Sequence, residues 1–236
     1  WQVAGQVVPG QGRSRSTKAC RCRCALVTSR TPSPHVGGIR RHDRSEGRMS
    51  TTTAPTSGIP TAYNGINFRS RLEARWAAFF DLLNWRWVYE PLDGDAYIPD
   101  FLLLGNWPIM VEVKPAASLD ELRTHTAKVE RGLGEVWNND ILIVGLTPFL
   151  ANSWSFGWPS IGLLGEATSN GWTWDEGEWH TCAKCFAPSF HHACMSYGSR
   201  ICGHNDGDRY LAPPHDALLD SRWSMACNAA QWNQRG

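Results

Sequence analysis

Between Phe68 and Thr147 the apolar positions switch period in a regular order. From Arg69 to Leu83, Leu72, Trp76, Phe79, Phe80 and Leu83 recur at helical spacing, and Ser70-x-x-Glu73 supplies a capping box at the start, so a helix is predicted there. Trp85 to Glu90, Ala96 to Leu104 and Ile109 to Lys114 read as strands; an Asp-Gly turn signal within Pro91 to Asp95 separates the first two, and Pro115 ends the third. A second capping box, Ser118-x-x-Glu121, opens a more polar helix to about Arg131. Asp140 to Thr147 carries the continuous apolar run Ile141-Leu142-Ile143-Val144 of a short buried strand. The predicted order is αβββαβ, an α/β class.

The pattern is different on either side of this block. Residues 1–48 are rich in Arg, Ser, Gly and Pro, show no apolar period and carry 10 Lys and Arg against 2 Asp and Glu, as a disordered basic leader would. Met49-Ser50-Thr51-Thr52-Thr53 reads as an ordinary translation start, so the leader is expected to be non-native upstream sequence, with a nucleic-acid-binding arm or a targeting leader as the alternatives. Residues 49–150 would form the main domain and 151–175 a Trp- and Gly-rich linker. Residues 176–236 would hold a Cys/His module and a terminal helix between Leu218 and Gln234, with Leu218, Leu219, Trp223 and Ala226 on one side.

With the leader set aside, 13 basic and 20 acidic residues leave the body at about −7, although the whole chain is near neutral at +1. Such a body argues against a broad phosphate-binding surface without divalent cations or a local basic strip. No apolar run approaches the ~18 residues of a membrane-spanning helix, so no membrane association is expected.

Within the central block, charge falls on segments that otherwise read as buried. Glu112 and Lys114 are two apart on one strand, so both leave the same face. A three-residue loop Gly105-Asn106-Trp107 would pair position 104 with 108 and set Asp100 opposite Glu112, close enough for one divalent cation to be shared. Mg²⁺ or Mn²⁺ held there would lower the pKa of a bound water and neutralise charge on a phosphate, with Lys114 beside it as a point charge. Glu73 would add a carboxylate from the helix. Arg69, Arg71 and Arg75 read first as helix charges pairing with Glu73 or Asp81, and second as phosphate contacts. His125 and Lys128 share a helix face that can lie beside the site.

The motif Pro99-Asp100, an eleven-residue gap, then Glu112-Val113-Lys114, set on this element order, resembles the PD-(D/E)xK nuclease superfamily. Within it, Phe-Arg-Ser-x-Leu-Glu followed by Tyr-x-Pro-Asp-Phe-Leu-Leu is similar to the bacteriophage endonuclease I-type junction-resolving enzymes and the endonuclease subunits of some transposition systems. The resemblance covers about residues 63–147. It implies a restriction-endonuclease-like core and metal-dependent hydrolysis of DNA by Asp100, Glu112 and Lys114, with Glu73 as the helix carboxylate. The DNA cut would be branched or an end, the source a phage or mobile element, and the compartment the host cytoplasm. A homodimer is compatible with this reading.

All eight cysteines lie outside the central block, which favours metal binding in a reducing compartment over a disulfide framework. Cys20-x-Cys22-x-Cys24 is too tight for ordinary zinc-site spacing. Cys182-x-x-Cys185 is a knuckle, and Cys202 follows after 16 residues, near the separation of two halves of a zinc ribbon. The fourth ligand is sought among Cys194, His191, His192 and His204, with Cys194 narrowly ahead of His204, giving a structural Zn²⁺ on Cys182, Cys185, Cys194 and Cys202. Trp172, Trp174, Trp179 and Phe190 are read as a small core ahead of base-stacking groups. The expectation is thus a Mg²⁺-dependent endodeoxyribonuclease; the alternative is a nuclease fold that binds DNA or protein without cutting.

Overall fold

The computed structural model describes residues 58–92, 97–134, 136–148, 159–193, 198–204 and 216–231. The predicted leader, with its three cysteines, lies outside them. All described residues belong to one compact unit, Thr51–Gly236.

The chain enters through a hairpin, β1 (Thr61–Tyr63) and β2 (Ile66–Phe68), turned by Asn64 and Gly65 at φ of 48° and 78°. Asn-Gly is the sequence that such a turn favours, because both central residues need positive φ. Helix α1 (Arg71–Leu82) follows, and Ser70 caps it by accepting the Glu73 N–H at 3.2 Å. Its apolar face is buried completely at Trp76, Phe79 and Phe80.

Next come β3 (Trp87–Tyr89), β4 (Phe101–Leu104) and β5 (Pro108–Val113), joined antiparallel. The β4–β5 register pairs Leu104 with Pro108 and Phe101 with Val111, the register expected of the three-residue loop. One step further along the ladder, Asp100 faces Glu112. The second helical segment is broken: α2 (Leu119–Arg123) and α3 (Thr126–Leu133) meet at Thr124 and His125, where a single helix is predicted. β6 (Ile141–Val144) then joins β5 in parallel.

The sheet does not stop there. β7 (Ser160–Thr168), β8 (Gly171–Thr181) and β9 (Pro188–His192) extend it antiparallel, giving seven strands in sequence order from β3 to β9. Where a linker is predicted over 151–175, the described part is therefore strand, and the segment after 176 continues the same sheet. Two glycines account for the departure. At Gly162, beside a register shift, a Cβ would lie 2.1 Å from the Ile143 carbonyl oxygen, and at Gly165 one would meet the Trp174 ring at 2.9 Å. These glycines mark close approach within a sheet, a role of Gly in strands distinct from its role in loops.

Successive residues of the central strands serve opposite faces. Ile109, Val111, Leu142, Val144 and Leu164 pack under α1 together with Trp179 and Phe190; Met110, Ile141, Ile143 and Leu163 pack under α2 and α3. Burial on both sides explains the unbroken apolar run of β6. Helix α4 (Asp216–Ala229) lies on α1, with Trp223 ring centroids 5.1 Å from Trp76 and 5.4 Å from Phe79. The terminal helix thus belongs to the main core. Trp76 also donates its indole N–H to the Gly145 carbonyl at 2.9 Å. Trp76→Ala would empty this centre and orphan that carbonyl, so a loss of about 4 kcal/mol is expected in urea unfolding, with little change in m.

Candidate active site and metal centre

Glu73, Asp100, Glu112 and Lys114 all line one open cavity of about 530 Å³, together with Arg69, Ser70, Tyr97, Val113 and Lys128. The N-terminus of α1 brings Glu73, the approach to β4 brings Asp100, and the end of β5 brings Glu112 and Lys114. All three carboxylates are buried, at 8%, 5% and 5% exposure. Burial of this kind is costly unless each charge is compensated.

The compensation differs at each carboxylate. Glu73 accepts from the Tyr89 hydroxyl at 2.6 Å and the Ser70 hydroxyl at 2.7 Å. Asp100 accepts from the Val113 N–H at 2.7 Å and the Arg69 guanidinium at 2.6 Å. Glu112 pairs with Lys114 through Oε1, while its Oε2 is buried with no hydrogen-bond partner. The Tyr97 hydroxyl is buried beside Glu112, and burial first, then that carboxylate, push its pKa up. Lys128 lies at the cavity wall, and burial first, then the charges of Lys114 and Lys128, push the His125 pKa down.

Asp100 is pushed up to about 7, by burial first and then by the charges of Glu112 and Glu73; the Val113 N–H and Lys114 oppose the shift. With the folded value above the carboxyl's ordinary 3.8, the folded state binds more protons between the two, so stability from this group is complete below about 4 and falls as pH rises to about 7. A cation needs the ionised form. Divalent-cation affinity is therefore expected to rise on the order of tenfold per pH unit up to about 7 and then level off, as read by Mn²⁺ titration across that range.

Among the described residues, the set of Cys182, Cys185, Cys202 and His204 is the group of three or more His, Cys, Asp or Glu whose ligand atoms all lie within 4.8 Å of one another. The oxygens of Glu73, Asp100 and Glu112 do not draw together as a trio in this way, since Glu73 is turned toward Ser70 and Tyr89. The Cys₃His donor set fits a metal such as zinc: none of its three cysteines is in a disulfide, and Cys182 Sγ stands 3.3 Å from His204 Nδ1.

Cys182 and Cys185 occupy the turn between β8 and β9, closed by the Cys182 N–H to the Ala187 carbonyl at 3.0 Å and the Phe186 N–H to the Cys182 carbonyl at 2.8 Å. Cys202 and His204 sit on a second turn, where Gly203 at φ of 72° donates to the Ser199 carbonyl at 2.9 Å. That turn brings His204, the alternative fourth ligand, into the group; the favoured Cys194 lies outside the described residues. His191 pairs instead with His180, Nδ1 to Nδ1 at 3.0 Å, and His192 is buried in the sheet.

The second turn is fastened to the main sheet by groups that the sequence does not reveal. Arg200 pairs with Asp140 at 2.6 Å and with Glu166, and the Asn106 N–H in the β4–β5 loop donates to the Ile201 carbonyl at 2.8 Å. Trp179 and Phe190 are fully buried and so are core, while Trp174 donates to Glu130 on α3 at 2.5 Å. Arg69 lies 3.9 Å from Glu73, the i,i+4 pairing expected of it, while its closer partners Asp100 and Glu90 are distant in sequence and no local rule names them. Among the described residues no helix is long and apolar enough to cross a membrane. Comparison of the chain with family models, with curated proteins and with solved structures gives no match.

Proposed function

We propose that this chain is a divalent-metal-dependent endonuclease that hydrolyses DNA phosphodiester bonds, built on a restriction-endonuclease-like core of the PD-(D/E)xK type. The observation that carries the reading is the meeting of Glu73, Asp100, Glu112 and Lys114 in one open cavity with a buried, unpartnered Glu112 oxygen. Burial and then the charges of Glu112 and Glu73 push Asp100 up, the strain expected where carboxylates are gathered without the cation that would compensate them.

Asp100 and Glu112 would hold Mg²⁺ or Mn²⁺, with Glu73 behind them. The ion supplies an activated water and charge neutralisation at the phosphate. Lys114, fixed by Glu112, presents its ammonium to the attacking water or the phosphoryl oxygens. Tyr89 and Ser70 orient Glu73, and the Val113 N–H orients Asp100. Arg69, Lys114 and Lys128 give the cavity a local cationic lining that an acidic body otherwise lacks. The Cys₃His centre would hold structural Zn²⁺.

A second reading has its own support: Asp100 and Glu112 are each already ion-paired, as in a structural network inside a non-catalytic binding module. The two separate when the zinc-loaded chain is incubated with linear duplex, single-stranded and four-way-junction DNA in Mg²⁺, Mn²⁺ or EDTA. Metal-dependent cleavage of any substrate supports the nuclease, and the preferred substrate names its class. Binding without cleavage in either metal supports the alternative.

A further inference from the structure

We propose that Arg69 is a positioning residue that occupies Asp100 in place of a divalent cation and passes to a substrate phosphate once the cation is bound. The proposal rests on the metal-nuclease reading. Arg69 precedes the N-cap of α1, and its half-exposed side chain reaches across the cavity wall to Asp100, whose side chain is 7% exposed. Asp100 has two oxygens. Oδ2 is committed to the Val113 N–H, and Oδ1 is the one held by Arg69 at 2.6 Å. A lone pair remains on each oxygen, but a cation placed on Oδ1 would meet the positive charge of the guanidinium bound there at 2.6 Å, so the two compete for Asp100.

Arg69 has a second anchor to fall back on. Its Nε lies 2.9 Å from Glu90, a residue at φ of 44° whose N–H donates to the Asp100 carbonyl at 3.0 Å. A non-glycine residue held in the left-handed region is strained, and the surrounding structure must maintain it. Here that backbone accompanies a Glu90 carboxylate placed against Arg69, which it would retain through Nε while Nη2 is released. The freed edge of the guanidinium then faces the same cavity as Lys114 and Lys128, in reach of a phosphate bound there. The cation brings one more positive charge to the carboxylates than the guanidinium it displaces, and the single negative charge of the incoming phosphodiester, paired with the freed guanidinium, offsets that excess.

The test is a Mn²⁺ titration of the zinc-loaded full chain, read by the electron paramagnetic resonance signal of free Mn²⁺. Arg69→Ala and Arg69→Gln are expected to bind Mn²⁺ at least fivefold more tightly than wild type, Lys128→Ala to stay within twofold, and Glu112→Gln to lose the site. In Ca²⁺, both Arg69 variants are expected to bind duplex DNA at least fivefold more weakly. Unchanged or weaker Mn²⁺ affinity in the Arg69 variants overturns the proposal while leaving the metal site intact, and equal tightening in Lys128→Ala overturns it by reducing the effect to general charge. If wild type binds no more Mn²⁺ than Glu112→Gln, the metal site itself fails and the proposal with it. The wild type gives a reading that needs no folded variant: Mg²⁺ alone is expected to shift the Arg69 Nε–H resonance, and an unmoved resonance at saturating Mg²⁺ overturns the exchange.

Discussion

Glu112→Gln is expected to lower metal-dependent DNA cleavage by about 10³-fold or more, and Lys114→Met by about 10²- to 10³-fold, in single-turnover assays at saturating DNA. Glu112 supplies a buried carboxylate oxygen in the cavity, Oε2, that neither Lys114 nor a backbone N–H satisfies. The amide keeps the shape and the neighbouring contacts and removes the charge, so the loss reports the metal and not the fold. Lys114 is held against Glu112 at 17% exposure, and an uncharged chain of similar length preserves that packing. Because Lys114 repels cations, its loss should leave Mn²⁺ affinity equal or higher while the rate falls. A fall in both would place Lys114 in the structural network instead.

Removal of zinc is expected to lower the melting temperature by at least about 10 °C and to release one equivalent of metal. Apparent zinc-binding energies of about 10–16 kcal/mol in small zinc domains set the scale, and a domain of this size shifts by about 2–4 °C for each kcal/mol. Only part of that energy is at stake here, since Trp179 and Phe190 anchor β8 and β9 in the main core without the metal. The loss should concentrate at the two turns, so hydrogen exchange should rise at 182–187 and 199–204 while the α1 amides stay protected. His204→Ala is expected to lose the zinc and Cys194→Ser to keep it. The opposite pair of results would return the fourth position to Cys194. A secondary effect follows from the Asn106 to Ile201 bond: the β4–β5 loop, whose length sets Asp100 against Glu112, should loosen when the turn that holds it is released.

The parts of this molecule that were legible in the sequence are those set by local chemistry. The Ser70 cap fixes the start of α1, and the length of the Gly105–Trp107 loop fixes the β4–β5 register and hence the opposition of Asp100 and Glu112. Two-residue spacing puts Lys114 beside Glu112. The first knuckle was legible for the same reason, since its two cysteines are neighbours on one turn.

The remainder depends on contacts between distant residues. Gly162 and Gly165 read as linker composition, yet they are where β7 lies against β6 and Trp174. The alternation Trp172, Trp174, Glu176, Glu178 is a strand pattern whose charged members disguise it; Glu176 is nonetheless buried, which pushes its pKa up to about 7. Asn64-Gly65 was a readable hairpin signal, flanked by strands too short to show alternation. The break between α2 and α3 has no proline or glycine to announce it. Arg69 and Arg200 found their partners 31 and 34 to 60 positions away, at distances where spacing carries no information.

The most direct measurement is cleavage of one labelled DNA substrate by zinc-loaded wild type and Glu112→Gln, prepared identically, in Mg²⁺, in Ca²⁺ and in EDTA. The expected result is cleavage by wild type in Mg²⁺ alone, leaving a phosphate on one side of the cut and a hydroxyl on the other. Equal cleavage by the variant, or intact DNA in Mg²⁺ and Mn²⁺ from a wild type shown to bind both cation and DNA, would contradict a nuclease centre at Asp100, Glu112 and Lys114.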